Sequence, residues 1–320
     1  MNPTFARTGM ILAAATLLCS CAPAPDSEAA YTVANCGREV AFTHAPERVV
    51  LQDSTAVATL DGLGVLDKVV AKAGFFPREY FTDAVNAQLD AIPSLSDRLN
   101  NTGHIQITKE AVMADNPDLI VGYSDTVNPE TAGAVPILSE PGFCGEITSA
   151  SWADVGAQID LYARAMGVPE RAGAVIKGVD TRIAHLDASV GEGRSVAFVY
   201  PGLEGGTTYG YGAASMAAPV AASLGLRNVF ADVGERVFDI SAEQLVAANP
   251  DVIVVLNSGE DDAVGAVTSL PGADSIAAVR SGEVVPMYLS FIEPASPLSV
   301  AGAEALQDAL AHSASSAGEG

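Results

Sequence analysis

Aromatic and cationic side chains recur just past the segments that read as strands, and that combination suits holding a ligand rather than transforming one. Phe75, Arg78 and Tyr123 stand in the first half, and Tyr209, Tyr211, Arg236, Tyr288 and Phe291 in the second. Aromatic faces with a few polar or cationic groups suit a large, partly apolar small molecule. Tyr200 and Phe238 read equally well as core residues. Tyr209 and Tyr211, flanked by glycines, are expected in a loop. Signatures of covalent chemistry are missing from the sequence. It has no Gly-x-Ser-x-Gly elbow, no Walker loop and no His-Glu-x-x-His helix. The histidines, His44, His104, His185 and His312, have no ligand spacing. The expectation is a chain with no catalytic residues, no metal site and no cofactor of its own.

What must position these residues is a unit that occurs twice. Ile107–Val121 returns as Ile240–Val254, with eight of fifteen positions identical at an offset of 133 residues. In each copy Thr108 or Ser241 can cap a short helix. Glu110 or Glu243 follows in the first turn, where a carboxylate suits the helix dipole. Asn-Pro-Asp then stops the helix, because proline lacks an N–H and pushes its predecessor out of the α region. Uncharged, β-branched residues follow as buried strands of a parallel sheet. The fold class expected is therefore α/β: two similar lobes, each a mostly parallel sheet flanked by helices.

Reading along the chain sets the boundaries. Residues 31–166 form the N-terminal lobe. Residues 167–192 form a bridge, because apolar residues from Val168 to Val190 recur every three or four positions, predicting one helix of about 20 residues. Residues 193–311 form the C-terminal lobe. Asp53-Ser-Thr55 is expected to cap the first helix. The uncharged stretch 205–226 is read as a loop and a buried helix, not a membrane span. The small, polar tail 312–320 is expected to be disordered.

The first 20 residues read as an export signal, with Arg7 before a short apolar core. Leu18-Cys-Ser-Cys21 resembles a lipobox, which makes Cys21 the expected lipidation site and residues 21–30 a flexible tether. The expected location is the outer face of the cell membrane, reached by the lipid anchor only. Cys36 and Cys144 then remain. In an exported protein two cysteines pair more often than not, the alternative being two unrelated buried thiols. A formal charge of −23 repels phosphate backbones and anionic lipid, so nucleic acid is not an expected partner.

The order of several short motifs resembles a known family: Asn35-Cys-Gly-Arg38, Pro46-Glu-Arg-Val-Val50, Leu63-Gly64, both Asn-Pro-Asp turns, Trp152, Gly167-Val-Pro-Glu-Arg-Ala172 and Asn228-Val-Phe-Ala-Asp232. Over residues 31–311 the chain is similar to the substrate-binding lipoproteins of ABC importers for ferric siderophores and vitamin B12. Asn35-Cys-Gly37, with Cys144 before the Trp152 helix, resembles the actinobacterial siderophore branch, where these cysteines pair. The resemblance implies a monomer whose two lobes are bridged by a helix, with an iron chelate bound between them. It also implies that Glu110 and Glu243, at the lobe tips, dock into arginine pockets of an ABC permease. Two matched carboxylates on equivalent helix starts suit such a pseudo-symmetric partner. With Arg78, Arg98 and Arg236 as the plausible cleft cations, a neutral or weakly charged hydroxamate is favoured over a catecholate. Cobalamin or haem stays open as ligand. An exported hydrolase or metal-handling enzyme on a two-lobed scaffold is the alternative of another class.

Overall fold

The structure is a computed structural model and describes residues 29–98, 105–202 and 206–317. The expected signal peptide, Cys21, most of the tether and His104 lie outside the described residues.

The first lobe begins with a hairpin, β1 (Tyr31–Asn35) and β2 (Arg38–Phe42). Its turn residues Cys36 and Gly37 both have positive φ, +48° and +73°, as a two-residue hairpin turn requires. Then come β3 (Val49–Leu51), α1 (Val57–Gly62), β4 (Val69–Ala73), α2 (Asp83–Ala91), β5 (Ser94–Ser96), α3 (Lys109–Met113), β6 (Leu119–Val121), β7 (Ile137–Leu138) and α4 (Trp152–Ala165). The sheet order is β5-β4-β3-β6-β7 and every pairing is parallel. β3, β6 and β7 are buried throughout, which explains their uninterrupted apolar sequences.

After α5 (Pro169–Ile183) the second lobe contains β8 (Ser195–Tyr200), β9 (Thr208–Tyr211), α6 (Ala217–Ser223), β10 (Arg227–Asn228), β11 (Val237–Ile240), α7 (Ala242–Ala248), β12 (Val252–Asn257), α8 (Ala263–Thr268), α9 (Ala277–Ser281), β13 (Val284–Tyr288) and α10 (Pro297–Ala317). Its sheet runs β11-β9-β8-β12-β13, with β10 beside the start of β8. β8, β10, β12 and β13 are parallel, while β9 runs antiparallel to both of its neighbours, β8 and β11. The α/β class and the two lobes are as expected, with a mixed sheet in the second.

The repeated unit works alike in both lobes. Thr108 Oγ1 accepts from the Ala111 N–H at 3.3 Å, and Ser241 Oγ from the Gln244 N–H at 3.2 Å. Asn116 and Asn249 take the left-handed conformation, φ +47° and +41°, that ends each helix. The aspartate of each Asn-Pro-Asp ties the turn to the start of a central strand. Asp118 accepts from the N–H groups of Glu47 and Arg48 at 2.9 and 2.8 Å, and Asp251 from that of Ser195 at 2.8 Å. Those N–H groups would otherwise lack a partner at a sheet edge.

Four local expectations are corrected. The cap of α1 is Ala56, which makes no side-chain bond, because Asp53 turns back to the Thr55 N–H at 2.8 Å. The bridging helix is shorter than expected: α5 has 15 residues, about 22 Å. Beyond it Asp187 Oδ1 accepts from the Ser189 N–H at 2.8 Å, a local turn that competes with helix. This turn carries Leu186 and Val190 onto the second lobe's core, while α5 itself packs on the first. Residues 208–211 form a strand, β9, because β11 supplies a partner that the uncharged stretch alone does not reveal. The last helix continues past Ala311 to Ala317, in keeping with the helix propensity of its alanines.

The lobes share apolar contacts. Met216, Ala295 and Val300 of the second lobe belong to the first lobe's core. Arg182 on α5 makes two bonds to Glu304 on α10, at 2.9 and 2.7 Å. A Cys36–Cys144 disulfide joins the hairpin turn to the segment after β7. Among the described residues no helix is long and apolar enough to cross a membrane.

Candidate ligand-binding cleft

Parallel strands deliver their following loops to one edge of a sheet, where ligands of such folds bind. Here both sheets turn that edge toward a common cleft of about 1250 Å³. Gln52 and Asp53 follow β3 into it, Phe75 follows β4, Tyr123 follows β6 and Ser139 follows β7. The second lobe contributes Tyr200 at the end of β8, Ser258 after β12 and Ser290 after β13. Gly122, φ +96°, lets the chain leave β6 hard against this wall. A Cβ there would stand 2.4 Å from Asp53 Oδ2.

Of the residues singled out in the sequence, Phe75, Tyr123, Tyr209, Tyr211 and Arg236 line the cleft. Tyr209 and Tyr211 are two apart on β9 and so project on one face of the sheet. Tyr211 is the more buried. Arg78, Tyr288 and Phe291 are not among the lining residues. Arg78 pairs with Asp90 on α2 at 2.9 Å. Tyr288 and Phe291 instead help clasp the lobes together around Tyr80. The Tyr80 ring meets Phe291 edge-on at 4.8 Å and Tyr288 at 5.7 Å, and Phe75 meets Tyr288 at 5.5 Å. The Ser290 N–H donates to the Tyr80 hydroxyl at 2.8 Å. Burial drives the Tyr80 pKa upward, so this hydroxyl stays protonated.

Charge in the cleft is mostly acidic. Arg236 pairs with Glu293 at 3.1 Å and lies 5.2 Å from the Phe143 ring centroid, so a first-lobe aromatic covers a second-lobe cation. Glu293, which also accepts from the Met216 N–H, has its pKa raised by burial against the opposing pull of Arg236. Glu260 accepts from the Tyr200 hydroxyl and the Ser258 N–H. Below the cleft floor Glu140 accepts from the Tyr162 hydroxyl at 2.7 Å and from Gln158 Nε2 at 3.3 Å. Burial, with the nearby Asp53 charge, pushes Glu140 up to about 8. Burial raises Asp53 too.

Sequence reasoning missed Tyr80, Phe143, Glu140, Glu260 and Glu293. One signal was present. A Glu-Pro step follows the last strand of each lobe, Glu140-Pro141 after β7 and Glu293-Pro294 after β13. The two segments meet at the lobe junction, where a Cβ on Gly142 would come within 2.6 Å of the Pro294 Cβ. Both glutamates are buried, at 1% and 3% exposure. Among the described residues no group of three or more His, Cys, Asp or Glu is placed to hold a metal ion.

Glu110 and Glu243 are exposed at the starts of α3 and α7. Each helix runs back along its lobe before the next strand, which puts its start on the cleft side. Two contacts agree: the Thr126 hydroxyl, beyond β6, donates to the Ile107 carbonyl, and Ile240 pairs with Thr208 at the outer end of β9.

Residues 49–287 match the family model described as periplasmic binding protein. The chain is similar to a crystal structure of an ABC-type Fe3+-hydroxamate transport system from Saccharomonospora viridis, with 42% identity and a TM-score of 0.80, over 87% of this chain and 98% of that one. A periplasmic heme-binding protein from Roseiflexus shares the fold at 21% identity and TM-score 0.64, over 84% of this chain and 99% of that one. A periplasmic vitamin B12 binding protein of Vibrio cholerae does so at 16% and 0.57, over 84% and 98%. Comparison with curated protein sequences returns no match.

Proposed function

The chain belongs to the periplasmic binding protein family, a family of extracytoplasmic solute-binding proteins, and on that premise we propose that it captures a ferric hydroxamate siderophore in its interlobe cleft and delivers it to an ABC permease. Cys21 carries the lipid that holds it at the membrane, and the protein works as a monomer. Glu110 and Glu243 engage the permease from the rim of the cleft.

The observation that carries the ligand class is the cleft's charge. Its volume of about 1250 Å³ and its aromatic walls suit a bulky chelate, yet Arg236 is already engaged by Glu293. A ferric catecholate is strongly anionic, and desolvating it beside Asp53, Glu260 and Glu293 costs free energy that Arg38, on the exposed hairpin, offsets only in part. A ferric trihydroxamate core is uncharged and escapes that cost. The 42% identity to a protein of an Fe3+-hydroxamate transport system points the same way. No bond is made or broken in this role. Burial of the chelate against Phe75, Tyr209 and Tyr211 supplies the affinity, and the shared core limits lobe motion to a small hinge.

Fluorescence titration of the purified protein tests this. Trp152 donates to Ser223 across the lobes at 2.8 Å, so its emission reports on their relation. Saturable quenching at submicromolar ferric trihydroxamate is expected, with none by ferric catecholates. Folded protein that saturates with a catecholate, or with neither chelate, would overturn the reading.

A further inference from the structure

The cleft walls hold more carboxylate than its known cations neutralise. Asp53, Glu130, Glu260 and Glu293 face it against Arg38 and Arg236. Arg236 is committed to Glu293, and Arg38 lies on the exposed hairpin. The two clefted acids besides Glu293 that lie near the strand ends differ in how they are held. Glu260 takes the Tyr200 hydroxyl and the Ser258 N–H. Asp53 is bonded by Thr55 alone among the described residues, and no cation offsets its burial.

A second observation stands beside it on the same wall. Gln52 lines the cleft and is 1% exposed. Its amide nitrogen donates to the Val127 carbonyl at 3.0 Å, which fixes the amide's direction and leaves Oε1 a buried acceptor without a partner among the described residues. A buried acceptor without a donor is costly, and so is a buried carboxylate without a counter-charge. Two such groups on adjacent residues at the end of β3 call for the same thing: a cationic hydrogen-bond donor. A protonated amine has several N–H bonds and one positive charge, so it can serve both.

Resting on the hydroxamate reading, we propose that this cleft selects ferric hydroxamates that carry a protonated amine arm, with Asp53 as the carboxylate that receives the ammonium and Gln52 as its neutral neighbour. The chelating groups hold the iron; the arm decides which chelate is retained. The chain's net charge of −23 draws cationic complexes toward the protein as a whole, but that long-range effect is screened by salt, whereas a partly buried pair is screened much less.

The test compares two probes with identical iron coordination: ferric desferrioxamine B, whose terminal amine is protonated, and its N-acetyl derivative, which is neutral. Affinities are measured by calorimetry on the intact protein, near physiological salt. A charge-assisted hydrogen bond in a partly buried site predicts at least about tenfold preference for the amine form. Asp53→Asn should shrink that ratio toward one, whereas Glu170→Gln, exposed at the start of α5, should leave it in place. Equal affinity for the two probes in the unaltered protein would overturn this inference and leave the hydroxamate reading standing; that comparison needs no variant to fold. Binding of neither probe would remove both. A preference that Asp53→Asn leaves intact would take the role away from Asp53.

Discussion

A carboxyl group whose pKa is pushed up to about 8, as in Glu140, is a proton held by the fold. In the unfolded chain the same group titrates near its ordinary value of about 4.5. Between those values the native state keeps a proton that the unfolded chain has shed. Stability therefore falls as pH rises through this window and levels off above it, with a slope of at most about 1.4 kcal/mol per pH unit for one such site. Asp53 and Glu293, both raised by burial, act in the same direction. Glu140→Gln mimics the protonated form and keeps an acceptor for the Tyr162 hydroxyl. Urea unfolding between pH 5 and pH 8 should show a shallower decline in the variant, and the variant should be the more stable protein at pH 8. Equal slopes would mean that Glu140 is ionised in the native state.

The same scale shows what the sequence could and could not disclose. Phe75 and Tyr123 were legible because a residue just past a buried parallel strand has one place to go. Arg78, Tyr288 and Phe291 were named for their types, but a short turn after each strand decides whether a side chain faces the cleft or the neighbouring lobe. Glu140 and Glu293 differ in nothing local from solvated turn residues. The repeated Glu-Pro step marks the two positions, but their burial depends on those segments meeting across the lobes, which the step itself does not record.

Among the elements, the turn after β13 helps to set how the lobes sit. It brings Ser290 and Phe291 against Tyr80, and so fixes one edge of the cleft. Tyr80→Phe keeps the ring and removes the acceptor, leaving the half-buried Ser290 N–H unpaired. A loss of about 1–2 kcal/mol is expected, measured by chemical denaturation. Tyr80→Ala also removes the ring that Phe81, Tyr288 and Phe291 pack against and should cost about 3–5 kcal/mol. If the two variants lost equal stability, the ring contacts would contribute nothing and the clasp would be a hydrogen bond alone. The helix–turn–strand unit was readable in full, because capping, proline and β-branching each act within a few residues. The strand β9 was not, since its partner β11 lies more than twenty residues on and supplies the edge that a glycine-rich segment needs.

For the molecule as a whole, the duplication does more than build two lobes. It places one exposed carboxylate on each, at the same point of the same unit and on the cleft side. A helix start stabilises a carboxylate without any partner protein, and Glu243 shows this in a pKa lowered by hydrogen bonds from its own backbone N–H and from Ser241. Capping accounts for either glutamate singly, and it predicts that removing one lowers folding stability slightly and leaves transport unchanged. Docking on a two-fold permease predicts otherwise. A matched pair of ion pairs acts as a bivalent contact, so losing one weakens delivery and losing both should remove most of it. Glu110→Ala and Glu243→Ala should therefore each reduce iron uptake severalfold in cells, and the double variant should lower it by tenfold or more. Ligand affinity in vitro should stay unchanged, because neither residue lines the cleft. The contrast between intact binding and lost uptake separates a docking role from a structural one. Uptake that survives in the double variant at normal expression would return both glutamates to helix capping.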